Sequence, residues 1–138
     1  MEKEYVYGPV GTVLTDYDGE HLFLVYGRPG KDPKEVREQG LWLADTLDKI
    51  HQEHPKNKYK ILVDLDKLML LRLDDVSRGI YREIIKRPYL KKIAISGDAL
   101  NYTKILPLLI ISRFRRSKIR FFLHIADAYK WLKWKTSQ

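Results

Sequence analysis

The chain contains no cysteine. Disulfides, thiolate nucleophiles and cysteine-held zinc or iron–sulfur centres are therefore excluded, and a reducing, cytoplasmic setting fits. Long hydrophobic runs are missing too. The longest, Ile105 to Ile111, falls far short of the roughly 20 residues that a membrane span requires. The opening Met-Glu-Lys-Glu-Tyr has no apolar core of the kind a secretory signal carries. Neither phosphate-loop fingerprint, G-x-x-x-x-G-K-[ST] or G-x-G-x-x-G, occurs, and no Ser/His/Asp set has local support. The expectation is a chain with no membrane span, no catalytic residues, no cofactor and no metal.

What is present is ordinary for a globular protein. The 138 residues are 44% hydrophobic and 32% charged, enough for one domain over 1–138 with its own core. The net charge of +8 is unevenly spread: residues 1–70 carry a net −3 and residues 71–138 a net +11. A basic half suits an anionic partner, such as anionic lipid or nucleic acid bound weakly, and equally suits a solvated surface.

Two runs rich in β-branched and aromatic residues, 10–16 and 21–26, flank Tyr17-Asp18-Gly19-Glu20. Asp-Gly at so short a connection predicts a β-hairpin. Asp32-Pro33 predicts a helix start, a carboxylate cap followed by proline at the first position. Val36, Gly40, Leu43, Leu47 and Ile50 share its apolar stripe, and Pro55 ends it. Tyr59 to Leu65 reads as a buried strand. Asp74-Asp75 cap a second helix with Val76, Ile80 and Ile84 facing inward, closed by Pro88. Ile93-Ala94-Ile95 is the next strand. A helix over 99–114 follows, kinked at Pro107. Ile119 to Leu123 is the last strand. Ile125, Ala128, Tyr129 and Leu132 mark one face of a final helix. The alternation, summarised as ββαβαβα, predicts an α/β domain with a mixed, mostly parallel sheet flanked by helices.

Several groups invite chemistry. His51 and His54 lie i, i+3 on a helix beside Glu53, without the i, i+4 spacing of zinc peptidases; a polar helix end accounts for them. Asp64 and Asp66 share one face of an extended chain, as acid–base partners or as a strand terminus holding turn amides. Ser96, Gly97, Asp98, Asn101 and Tyr102 sit where a parallel strand exits into a helix, the place where open α/β sheets bind ligands; Asp98 would also cap that helix itself. Arg113, Arg115, Arg116, Lys118 and Arg120 form the densest basic patch, with Phe114 among them. Arginine forks suit phosphate, while strand alternation turns Arg120 outward and Phe121 inward. Trp131 and Trp134 either complete the core or leave Trp134 as an aromatic edge for a partner.

Lys60-Ile61-Leu62-Val63-Asp64-Leu65, Lys92-Ile93-Ala94-Ile95-Ser96-Gly97-Asp98, Lys118-Ile119-Arg120-Phe121-Phe122 and Ala126-Asp127-Ala128-Tyr129-Lys130-Trp131-Leu132 follow one another as central strand, next strand, last strand and closing helix. In that order they resemble the SpoIIAA-like branch of the STAS superfamily. The resemblance implies a single STAS-like domain without enzymatic activity, working as a regulatory or protein-interaction module with a protein partner, as a monomer or a dimer. Binding or carrying an anionic ligand, phospholipid or nucleic acid, through the basic C-terminal half is the alternative. Some relatives are switched by phosphorylation of a serine at the start of the helix after the central strand. Ser77 is the one hydroxyl residue between Asp64 and Ser77, and it lacks the preceding aspartate of those switches, so it is expected not to be a phosphosite.

Overall fold

The structure is a computed structural model and describes residues 2–8, 10–28, 31–65, 74–103 and 118–134. Three strands lead the chain: β1 (Lys3–Tyr7), β2 (Thr12–Asp16) and β3 (His21–Val25). Helix α1 (Pro33–Glu53), β4 (Tyr59–Asp64), α2 (Asp75–Ile85) and β5 (Leu90–Ser96) follow. Residues 99–103 are helical and are called α3. Strand β6 (Ile119–Phe122) and helix α4 (Ile125–Leu132) complete the order. The expected ββαβαβα thus omits the leading strand and one strand–helix unit. Strand β1 escapes the pattern because it is an edge. Lys3 and Glu4 are exposed and Val6 faces outward, so no apolar alternation marks it.

The six strands lie in the order β1-β2-β3-β4-β5-β6. The first two pairings are antiparallel and the other three parallel. The β2–β3 turn is built as its residues demand. Gly19 takes a positive φ of 81°, and the Asp16 and Asp18 carboxylates accept the amides of Gly19, Glu20 and His21 at 2.7–2.9 Å. Each parallel step then needs a crossover. With consecutive strand order and one crossover hand, successive helices fall on the same face, and α1 and α2 pack side by side there. Leu43, Leu47 and Ile50 of α1 and Ile84 and Ile85 of α2 meet Leu14, Leu22, Leu24, Ile61, Leu90 and Ile93 from the sheet. Helix α4 covers the other face, with Ala128 and Leu132 seated on Leu62 and Ala94. Strands β4 and β5 are therefore buried on both sides, which is why they read as near-continuous apolar runs.

Both long helices begin where expected. Asp32 accepts the Glu35 amide at 2.8 Å, and Asp74 accepts that of Ser77 at 2.8 Å. Val76 departs from its predicted inward position: in the first turn of α2 it is more than half exposed. His124 precedes α4 at the cap position without a side-chain cap bond. The expected kink at Pro107 lies outside the described residues.

A polar joint fixes the ends of the helices to the sheet. Arg87 forks onto Asp48 at 3.0 and 3.1 Å, and the Tyr89 hydroxyl donates to the same carboxylate at 2.5 Å. Partial burial raises the Asp48 carboxyl, but the bonds from Arg87 and Tyr89 outweigh it and hold the group below its ordinary value.

The tightest backbone crossing is at Gly27, where the exit of β3 passes the β1–β2 connection. Its amide donates to Thr12 Oγ1 at 3.0 Å, and the next amide, of Arg28, donates to the Val10 carbonyl at 3.0 Å. A Cβ on Gly27 would stand 1.8 Å from that carbonyl oxygen. Gly27→Ala is expected to cost about 3 kcal/mol, the upper range for overpacking against backbone, whereas Gly8→Ala, with open space around its Cβ, should be near neutral. Urea unfolding of the two variants checks this; equal midpoints would contradict it.

Candidate functional site

The parallel strands give the sheet two chemically different edges. At the carboxyl edge the structure brings Ser96, Gly97, Asp98, Asn101 and Tyr102 together, as the sequence predicts. The Asp98 carboxylate, the Asn101 side-chain nitrogen and the backbone groups around them bond within the fold. Asp98 Oδ1 accepts the Asn101 amide at 2.8 Å, and the buried Asn101 side chain donates to the Leu65 carbonyl at 3.3 Å. The Leu65 amide donates to the Ser96 carbonyl at 2.8 Å, and that of Gly97 to the Phe122 carbonyl at 3.1 Å. A Cβ on Gly97 would approach Leu65 and Asn101 to 3.2–3.3 Å. The cluster is thus a joint between the exits of β4, β5 and β6. The Tyr102 ring lies outside it, 5.0 Å from the ring of Phe121.

Several large apolar side chains are exposed along this edge of the sheet. Val6, Val76, Leu100 and Leu123 are each half or more exposed, and Tyr102 more than a third. All five lie at or just beyond carboxyl ends of strands, or on first turns of the helices that start there. The helix caps Asp32, Asp74 and Asp98 add negative charge along the same edge.

Of the predicted basic patch, the structure describes Lys118 and Arg120. Arg113, Arg115 and Arg116 lie outside the described residues. Lys118 is buried, not displayed: its ammonium donates to the Arg87 carbonyl at 2.9 Å. Burial of an amphipathic stem with its head bonded to a carbonyl is a structural use of lysine. Arg120 is exposed, with its guanidinium 5.4 Å from the Phe122 ring centroid, while Phe121 packs against the α1–α2 core. The outward and inward assignments of this pair therefore stand.

The amino edge carries the basic surface that sequence reading missed. A cleft of about 360 Å³ is lined by Glu20, His21, Lys56, Asn57, Lys58, Lys60 and Lys91. Beside it, the Lys60 ammonium donates to the Leu132 carbonyl at 2.8 Å and that of Lys92 to the Trp131 carbonyl at 3.4 Å, both at the end of α4. Burial, then repulsion from Lys91, Lys92 and Lys133, lowers the Lys60 ammonium below its ordinary value against the pull of Glu20. These lysines are scattered over two halves of the sequence. Their one local signal is the alternation Lys56-x-Lys58-x-Lys60 leading into β4, answered by Lys91-Lys92 in β5.

His51 stacks on Tyr89, ring centroids 4.4 Å apart. Among the described residues no group of three or more His, Asp or Glu could hold a metal ion, and no helix is long and apolar enough to cross a membrane. Asp66 lies outside the described residues. Trp134 packs between His21, Phe23 and Tyr129, at 5.0–6.2 Å. An apolar hollow of about 70 Å³, bordered by Leu24, Leu47, Ile61 and Ile93, is well below the roughly 300 Å³ at which ligand pockets begin.

No protein-family model, curated protein or solved structure matches this chain.

Ser77 is 1% exposed and gives its amide to the Asp74 cap in the first turn of α2. A phosphate there would be buried beside Asp74 and Asp75, at the cost of desolvation and like-charge repulsion. After incubation with host lysate and ATP, mass spectrometry should find Ser77 unmodified. Stoichiometric phosphate on it would contradict this.

Proposed function

We propose that this chain is a non-enzymatic STAS-like module that works by association, holding a protein partner at the carboxyl edge of its sheet as a regulatory or interaction domain of the cytoplasm. The observation that carries the reading is the exposure of Val76, Leu100, Tyr102 and Leu123 at the exits of the neighbouring strands β4, β5 and β6. Scattered surface apolar residues are normal, but several at neighbouring strand exits, with charge beside them, point to an interaction site. The Asp98 carboxylate, the Asn101 side-chain nitrogen and the backbone of the joint beneath it bond within the fold, and the exposed apolar side chains above it offer a platform for a partner. With Asp32, Asp74 and Asp98 around it, the complementary partner presents apolar side chains flanked by lysine or arginine. The four sequence pieces that resemble the SpoIIAA-like branch fall on β4, β5, β6 and α4, three neighbouring strands and the helix laid over them.

A photo-crosslinking residue placed at Leu100 or Leu123 in host cells tests this. One discrete heavier adduct, absent when the crosslinker sits at Lys49 and lost with Tyr102→Glu, is expected. The reading fails if neither edge position gives an adduct, or if Lys49 gives the same one. An adduct at twice the chain mass, a second copy, would replace the partner with self-association.

A further inference from the structure

We propose that the cleft at the amino edge, lined by Lys56, Lys58, Lys60 and Lys91, is a binding site for a diphosphate-bearing anion. It is independent of the carboxyl-edge platform.

Four lysines and one acid, Glu20, line one cleft; with the Lys60 ammonium turned to the end of α4, Lys56, Lys58 and Lys91 leave an excess of two positive charges over Glu20. Such an arrangement repels itself unless an anion enters. Helix polarity explains only part of it. Cations favour helix carboxyl ends, and Lys60 and Lys92 are spent in this way on α4. The end of α1 is instead closed by backbone amides, with His54 donating to Ile50 and His51 and Asn57 to His54. Lys56, Lys58 and Lys91 therefore have no helix end to serve, and among the described residues they form no ion pair.

The pairing of β4 with β5 shifts register between Tyr59 and Lys60, so that Tyr59 opposes Leu90 while Lys60 opposes Lys92. Lys91 is the extra residue. Leu90 and Ile93 both face the α1–α2 core, so the bulge carries Lys91 and Lys92 away from that core, toward Lys60. Bulges re-aim side chains in this way beside functional sites. The walls are fixed as well. Asn57 Nδ2 donates to the Gly19 carbonyl at 2.9 Å, the Lys60 amide donates to the Glu20 carbonyl at 2.8 Å, and Asp18 holds His21 Nδ1 at 2.8 Å.

Shape selects the ligand class. The lysines line one half-open cleft rather than a long stripe, which fits a compact anion better than a nucleic-acid strand. The volume lies within the range of small-ligand sites, and lysine binds phosphate as a point charge without demanding one fixed geometry. The diphosphate is either free or the tail of a nucleotide.

Calorimetric titration of the intact protein with inorganic pyrophosphate at low salt is the test. One-to-one binding is expected. Lys58→Gln/Lys91→Gln should weaken it at least tenfold without moving the melting curve, and Lys34→Gln/Lys49→Gln, the same charge change on α1, should leave it within about twofold. ADP tighter than pyrophosphate assigns the nucleotide form, and equal affinity assigns the free anion. No binding of either, equal losses in the two double variants, or binding of oligonucleotides alone would overturn the proposal.

Discussion

Strand β3 ends by pairing in parallel with β4, the Tyr26 amide meeting the Asp64 carbonyl at 3.2 Å, and that direction is kept through β5 and β6. Everything chemical about the surface depends on it. When strands run one way, every following helix must start at the carboxyl edge and return toward the amino edge. Bare amides then collect at one edge and bare carbonyls at the other. Aspartates at 32, 74 and 98 meet the amides. Lys60 and Lys92 meet the carbonyls at the end of α4. Each such match is worth about 0.3–1 kcal/mol, small singly but all of one sign, so the two edges acquire opposite character as a by-product of stability.

The described elements were legible where local chemistry and burial agree. Asp32-Pro33 and Asp74-Asp75 mark helix starts by capping, Asp18-Gly19 marks a turn by the φ it requires, and β4 and β5 show themselves by burial on both faces. Strand β1 was not legible, because an edge strand with one weakly buried face carries no periodic signal. Val76 was misplaced for a related reason: apolar spacing identifies a helix face, but not whether a neighbouring element covers its first turn.

The site was legible only in part. Ser96 to Tyr102 do converge, since strand exit and helix cap are local events. That the cluster is a joint was hidden, because its decisive bond, Asn101 to Leu65, spans 36 positions. Lys118 misled for a converse reason. A basic run suggests display, while this lysine reaches back to the carbonyl of Arg87. The amino-edge cleft depends on a bulge in β5 and on a loop held to a distant turn by Asn57, neither of which leaves a periodic trace.

The division of the molecule into an apolar, acid-rimmed carboxyl edge and a cationic amino edge is tested most directly by following backbone amide resonances of the whole protein while pyrophosphate is added. The account predicts shifts confined to residues 19–21, 56–60, 91–92 and 132–134. Shifts centred on residues 97–102, or spread evenly over both edges, would contradict it.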